Sequence, residues 1–288
     1  MSIAAQLAII GGSGLYAMKG LKNVEERKVS TPFGKPSSPI IIGSLAGRRI
    51  AFLARHGIGH TIPPSQVNYR ANIYALKSLG VRFVVAVSAC GSLREDFAPG
   101  NIVIPDQLFD FTHSRARSFF DEPGLVAHVG VAEPFCNAFA KQVHRACKAA
   151  GAKAHFGASY ITIEGPRFST RAESNSYRSW GLSIIGMTTA PEAFLAREAE
   201  LCYAVMAHVT DYDVWHEEPV SVDMVVGTMQ KNTEVAQEAV RNLAAKLDMK
   251  QQCDCSTALA NALFTNPKKV SKTARTRLGI LVDKYMPK

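Results

Sequence analysis

The chain has 288 residues, 47% of them hydrophobic, enough to bury a sizeable core as one large α/β domain or two small ones. Lys and Arg outnumber Asp and Glu by 33 to 24, a net charge of +9, and six cysteines in a chain this long exclude the disulfide framework of a small secreted protein. No apolar stretch reaches the ~18 residues of a membrane span, and the N-terminus carries no basic n-region, so the expectation is a soluble cytoplasmic protein with no membrane partner.

Leu7–Ile10 is a short apolar run and predicts the first strand. It ends in glycines, and Gly12-Ser13-Gly14-Leu15-Tyr16-Ala17 fits G-x-G-x-x-G/A. A dinucleotide-binding turn would need a helix at once and an acidic residue about 20 positions on. Lys19-Gly20 interrupts any such helix, TPFGKPS occupies the second place, and Glu25 and Glu26 come too early. Two readings stay open: a tight turn needing positive φ, and a phosphate loop whose backbone N–H groups and Ser13 hydroxyl point at an anion.

Strands follow at Ile40–Ile42 and Ile50–Leu53, the second running into LARHGIGHT and placing Arg55 and His56 at a strand end. The planar fork of an arginine suits phosphate oxygens. A helix over Pro64–Leu79 leads to a strand at Phe83–Ser88, whose end, VSACGSL, offers the Ser88 hydroxyl and the Ala89 N–H. A strand at Ile102–Ile104, a helix over Pro134–Ala150, a strand at Tyr160–Ile163 and a helix over Arg171–Trp180 come next. The strand at Ser183–Ile185 runs into IIGMTTAPE and offers Thr188; Pro191-Glu192 suits the first turn of a helix over Pro191–Glu200. Four strand ends thus carry anion donors, and none has a P-loop lysine, which disfavours triphosphate hydrolysis. Each donor has an ordinary alternative: Arg55 as a surface ion-pair partner, His56 as a core histidine, Thr188 as a helix cap.

A strand at Cys202–Val209 ends in HVTDYDVWH. Asp211 and Asp213 sit two apart, so an extended backbone would turn both to one face. Paired carboxylates suit acid–base work or metal binding, or simply cap a loop; the phosphate donors nearby favour metal-free acid catalysis. Ser221 is a plausible N-cap for a helix over Val222–Leu247, and the last helix is expected over Thr273–Tyr285. In the last 21 residues Lys268, Lys269, Lys272, Arg275, Arg277, Lys284 and Lys288 face only Asp283, which reads as a solvated helix face rather than a nucleic-acid surface. Cys90, Cys136, Cys147 and Cys202 lie in apolar surroundings and read as buried thiols. Cys253-Asp254-Cys255 pairs two thiols one residue apart, fit for a strained bridge or a shared metal, but no second pair has zinc spacing. Strands alternating with helices argue for an α/β fold with a largely parallel, covered sheet and its chemistry at the carboxyl ends of the strands.

IIGGSGLY, TPFGKPS, LARHGIGHTIPPSQVNYRANIYALKSLGV, SACGSLREDFAPGNIVIPDQ, IEGPRFSTRAES, MTTAPEAFLAREAELCYA and TDYDVW, in that order, resemble the S-methyl-5'-thioadenosine phosphorylase family of the trimeric purine nucleoside phosphorylase superfamily. The resemblance runs from Leu7 to Val226. It implies a single phosphorylase/hydrolase-like α/β domain over residues 1–288, with a central mixed sheet and a basic helical extension from about residue 250. It also implies a homotrimer, with a dimer of trimers as the larger assembly. Inorganic phosphate, as co-substrate, would attack C1' of the nucleoside and adenine would leave, giving 5-methylthioribose 1-phosphate with no metal or organic cofactor. Ser13, Arg55, His56, Ser88, Ala89 and Thr188 would hold phosphate, the set already gathered from the strand ends. Met187 would pack on the ribose and Phe168 along the purine; Ser169, Asp211 and Asp213 would read the base, Asp211 at N7.

The two acids of TDYD suit an exocyclic amine and repel a carbonyl; relatives that take 6-oxopurines resemble this chain but carry Asn at the base-reading position. Val222, Val225 and Val226 form an apolar helix face fit for a methylthio group, and His60 and His128 match positions lining the 5' side, His128 from a neighbouring subunit. HEEPVS is shorter than the matching loop of some relatives, which opens the 5' specificity to other groups, and the tail is expected to pack over the pocket. The rival readings are a 6-oxopurine or methylthioinosine phosphorylase, a nicotinamide-dependent oxidoreductase and a basic nucleic-acid-binding protein.

Overall fold

The computed structural model describes residues 4–286 apart from 13–14, 16–17 and 217–220, with the backbone alone at 224 and 229–231. Its described strands are β1 (Leu7–Gly11), β2 (Lys22–Arg27), β3 (Ile40–Leu45), β4 (Arg48–Ala54), β5 (Phe83–Ser92), β6 (Ile102–Ile104), β7 (Gln107–Phe111), β8 (Ala154–Phe156), β9 (Ser159–Ile163), β10 (Ile184–Gly186) and β11 (Cys202–Asp211). The helices are α1 (Tyr69–Ser78), α2 (Asn137–Ala149), α3 (Arg171–Ser179), α4 (Thr189–Glu198), α5 (Val222–Lys246) and α6 (Lys272–Leu278). All strands join one mixed sheet in the order β2-β3-β4-β1-β5-β10-β9-β7, with β11 on β5, β6 on β11 and β8 on β6.

The ten-residue β5 organises this sheet. Phe83–Ala86 pair in parallel with β1, β11 lies parallel along its other edge, and Gly91–Ser92 pair antiparallel with β10. The parallel centre is buried on both faces, so its strands are continuous apolar runs: every residue of β1 and β11 is buried. Alternation sorts the side chains into two cores. Ala8, Ile10, Val84, Ala86, Tyr203 and Val205 pack with α1, α4 and α6, while Leu7, Ile9, Phe83, Val85, Ala204 and Met206 pack with α2 and α5.

The eight expected strands are present, several longer than expected. The three additional ones are peripheral or short. β2 (KNVEER) is a charged, exposed edge strand, and β8 has three residues. The helices differ from expectation at their ends, two of them by several residues. Pro64–Gln66 form a separate 3₁₀ turn, and α1 begins at Tyr69, capped by the Asn68 side chain on the Ala71 N–H. The last helix stops at Leu278 because Gly279 takes φ +43°, and a 3₁₀ turn over Gly279–Leu281 follows. The tail packs against α1 rather than over the pocket: Leu278, Leu281, Val282 and Met286 share a core with Tyr74 and Leu76. No helix among the described residues is long and apolar enough to cross a membrane.

Candidate active site

The carboxyl ends of β1, β4, β5, β10 and β11 open on one cavity of about 450 Å³. Gly12, Arg55, His56, Ser88, Ala89, Gly186, Met187 and Thr188 line it on one side, and Phe168, Ser169, Asp211 and Asp213 on the other. Residues 18–21 are loop and turn leading into β2, which leaves no room for the long helix that a dinucleotide-binding turn requires. Ser13 lies outside the described residues.

Arg55 is the only cation of the phosphate set, and it is 2% exposed. Its Nε and Nη2 donate to the two carboxylate oxygens of Glu192, both at 2.8 Å, and Nη1 donates to the Val87 carbonyl at 3.2 Å. Glu192 in turn accepts from the Tyr203 hydroxyl at 2.8 Å. The fork is therefore locked from behind, leaving one N–H on each terminal nitrogen for an anion. Burial works to lower the Arg55 pKa, but the Glu192 carboxylate prevails and the guanidinium stays charged. The ion pair is real, yet it belongs to the interior and not to the surface.

Around this cation the hydroxyls lack partners. Ser88 Oγ is buried with no hydrogen-bond partner, and Thr188, at the N-cap position of α4, makes no capping bond with its side chain. Buried donors without a protein partner beside a fixed cation are suited to binding an anion. His56 is half-buried, stacked on His60 at 4.3 Å, and its Nδ1 meets the Ile62 carbonyl at 2.8 Å. A carbonyl only accepts, so Nδ1 carries the proton. Burial, with Arg55 adding to it, pulls the ring's pKa down to about 4. At neutral pH His56 is thus uncharged, with a lone pair on Nε2.

The acidic side is equally deliberate in its packing. Asp211 Oδ2 accepts from Thr210 Oγ1 at 2.6 Å and Oδ1 from the Asp213 N–H at 2.8 Å. Asp213 takes φ +53°, so a turn, not an extended strand, brings both carboxylates to the cavity. Burial raises both pKa values, and the Thr210 hydroxyl and Asp213 N–H moderate that of Asp211. Asp213 Oδ2, Ser169 Oγ and Ser174 Oγ are buried without a hydrogen-bond partner. Gly91 makes room for the pair: a Cβ there would stand 2.9 Å from Asp211 Oδ1 and 3.3 Å from Asp213 Cβ.

On the third side, Val226, Thr233, His60 and Pro64 complete the wall. Val222 is 65% exposed and Val225 half-buried, and neither lines the cavity within one chain. His128 also lies off it, edge-on to the exposed Phe264 at 5.7 Å. Two supporting residues were not anticipated in these roles from the sequence, Glu192 and Arg115. Arg115 is buried and donates to the Met187 and Ala190 carbonyls at 2.7 and 2.8 Å, tying down the turn that carries Thr188. Glu192 stands 137 positions from Arg55 in sequence, and nothing local in the sequence pairs the two.

Residues 6–245 match the model of the phosphorylase superfamily. An S-methyl-5'-thioadenosine phosphorylase of Koribacter versatilis is 50% identical over 98% of this chain and 97% of its own. A methylthioadenosine phosphorylase from an antarctic soil metagenomic library superposes with a TM-score of 0.93 at 48% identity, covering 97% of this chain and 99% of its own. The methylthioadenosine phosphorylase of Schistosoma mansoni in complex with adenine gives 0.83 at 39% identity, over 89% and 96%. With sequence, fold and cavity in agreement, the chain belongs to the phosphorylase superfamily.

Proposed function

We propose that this chain catalyses the phosphorolysis of S-methyl-5'-thioadenosine to adenine and 5-methylthioribose 1-phosphate, a pentosyl transfer that serves purine and methionine salvage. The observation that carries it is one cavity holding a locked, buried guanidinium with orphan hydroxyls opposite a pair of buried carboxylates. Relatives of this name match the chain over nearly its full length.

In this reading phosphate sits between Arg55, the Ser88 and Thr188 hydroxyls and the backbone at Ala89 and His56, and the Ser13 hydroxyl is a further donor by the family resemblance. The uncharged His56 ring adds an acceptor for a protonated phosphate oxygen and no positive charge. The C1'–N9 bond breaks with oxocarbenium character, and the phosphate stabilises that charge while bonding to C1'. Met187 packs on the ribose and Phe168 along the purine, with Ser169 beside the base. Asp211, its pKa raised by burial, hydrogen-bonds N7 as the leaving base gains electron density. The unpartnered Asp213 Oδ2 favours an amine donor at C6, so adenine fits and a carbonyl there does not.

Val226 and His60 border the 5' group. The exposed Val222 and half-buried Val225 of the same helix support a homotrimer in which a neighbouring subunit, through His128, covers this side. Light scattering in solution tests the assembly, a dimer of trimers being the larger alternative. The substrate is tested by comparing kcat/KM for release of base from methylthioadenosine, methylthioinosine, adenosine and inosine. The reading predicts methylthioadenosine first; a tenfold preference for the inosine compounds would replace it with a 6-oxopurine phosphorylase.

A further inference from the structure

Four of the six cysteines meet at the end of the sheet away from the cavity. Cys202 opens β11, Cys136 precedes α2, and Cys253 and Cys255 come from the segment after α5. Their four Sγ atoms all lie within 4.8 Å of one another, with Cys202 and Cys253 at 3.4 Å. All four are free thiols; three are buried and Cys253 is half-buried. Nine residue steps of β11 separate Cys202 from Asp211, about 30 Å at ~3.3 Å per residue, so the cluster has no part in the chemistry of the cavity.

A tetrahedral ion with M–S bonds of ~2.3 Å holds its sulfurs ~3.8 Å apart. The observed cluster meets that spacing with little movement. Donors suited to thiolate sulfur surround it: Arg197 Nη1 lies 3.6 Å from Cys255 Sγ, and Gln251 Nε2 3.6 Å from Cys136 Sγ. Arg197 Nε is buried nearby without a partner of its own. Such outer contacts orient ligands and offset the negative charge of a metal tetrathiolate. The C-x-C spacing alone lacked a second pair; the fold supplies it from Cys136 and Cys202, 66 positions apart in sequence.

We propose that Cys136, Cys202, Cys253 and Cys255 form a tetrathiolate site for a divalent thiophilic ion, zinc first among them, that fastens the C-terminal segment to the amino ends of the central strands. Each thiol releases its proton to solvent as its sulfur binds, and the ion keeps its oxidation state, so no oxidant or reductant takes part.

The test uses the full chain, purified under argon with a thiol reductant and without chelators. Elemental analysis is expected to find one zinc per chain, and replacement by Co²⁺ to give the thiolate charge-transfer and ligand-field bands of a tetrahedral sulfur site. Both readouts need no substitution. Cys253→Ser with Cys255→Ser is expected to lose the metal, while Cys147→Ser, a buried thiol outside the cluster, keeps it. Stripping the metal should lower Tm and leave kcat for phosphorolysis unchanged. Wild-type protein that holds no stoichiometric metal and shows no thiolate band with Co²⁺ would overturn the proposal. So would intact-mass evidence that the same four residues are joined in disulfides in that preparation.

Discussion

The two ends of β11 are built on opposite principles. At its carboxyl end the chain buries two aspartates, leaves Asp213 Oδ2 and the Ser88 and Ser169 hydroxyls without partners, and pins one cation from behind. At its amino end, Arg197 Nε apart, buried polar groups find partners. Arg82 donates to the Met249 and Gln251 carbonyls at 2.7 and 3.0 Å, and the buried Glu198 accepts from Ser118 Oγ and the Phe119 N–H, both at 2.7 Å. Unmet polar groups cost stability, so a fold tolerates them together where a ligand will meet them. The contrast locates the site as firmly as any single residue.

Arg55→Ala should disturb the contrast most. Leaving Glu192 buried and unpaired costs ~3–5 kcal/mol of stability. Phosphate kcat/KM should fall by ~10²-fold or more, with the nucleoside KM far less affected. Adding Glu192→Gln removes the stranded carboxylate and should recover Tm without recovering phosphate use. Steady-state kinetics with each substrate varied separately checks the split; an equal rise in both KM values would make Arg55 a purely structural residue.

Asp211→Asn comes next. It should lower kcat/KM for methylthioadenosine by ~10–10²-fold and narrow the gap to methylthioinosine. The same change should raise Tm of the ligand-free protein. Burial holds the folded pKa of Asp211 above its unfolded value, so the ionised carboxylate opposes folding once pH exceeds the folded pKa, and Asn carries no such charge. Unchanged kinetics would remove Asp211 from the mechanism, and a lower Tm would show the carboxylate to be stabilising.

The matched end has its own pH dependence. Burial lifts Glu198 from 4.5 to about 7, even with both oxygens bonded. The unfolded chain ionises first as pH rises, so this group's contribution to stability declines from 4.5 upward and is lost above about 7. Glu198→Gln should abolish a decline on the order of 3 kcal/mol across that range, read from urea unfolding at several pH values. The neutral His56 and His208, both pulled to about 4 with burial as the leading cause, act in the other direction, withdrawing stability as pH falls from 6.5 toward 4. Val226→Ala should have the smallest effect, a loss of ~10-fold or less in preference for methylthioadenosine over adenosine. No change in that ratio would move the 5' reader to another side chain.

How much of this was legible differs between the same two regions. The buried parallel strands announce themselves as apolar runs, and Arg55, His56, Ser88, Thr188, Asp211 and Asp213, at the polar ends of those runs, all line the one cavity. Partnerships across the fold were not legible. Nothing local in the sequence ties Glu192 to Arg55, Arg115 to Met187, or Cys136 and Cys202 to the Cys253–Cys255 pair, because those contacts exist only once distant segments pack. The edge strand β2 escaped because its exposed, charged sequence lacks the hydrophobic alternation that marks a strand. Both aspartates of TDYD line the cavity, but through a left-handed turn at Asp213 and not through the extended backbone that their spacing suggests.

The most direct test of the central claim follows methylthioadenosine cleavage with orthophosphate present and after its enzymatic removal. The account predicts adenine and 5-methylthioribose 1-phosphate in equal amounts when phosphate is supplied, and no cleavage without it. Release of adenine at the same rate in phosphate-free buffer, with free methylthioribose as the other product, would contradict it.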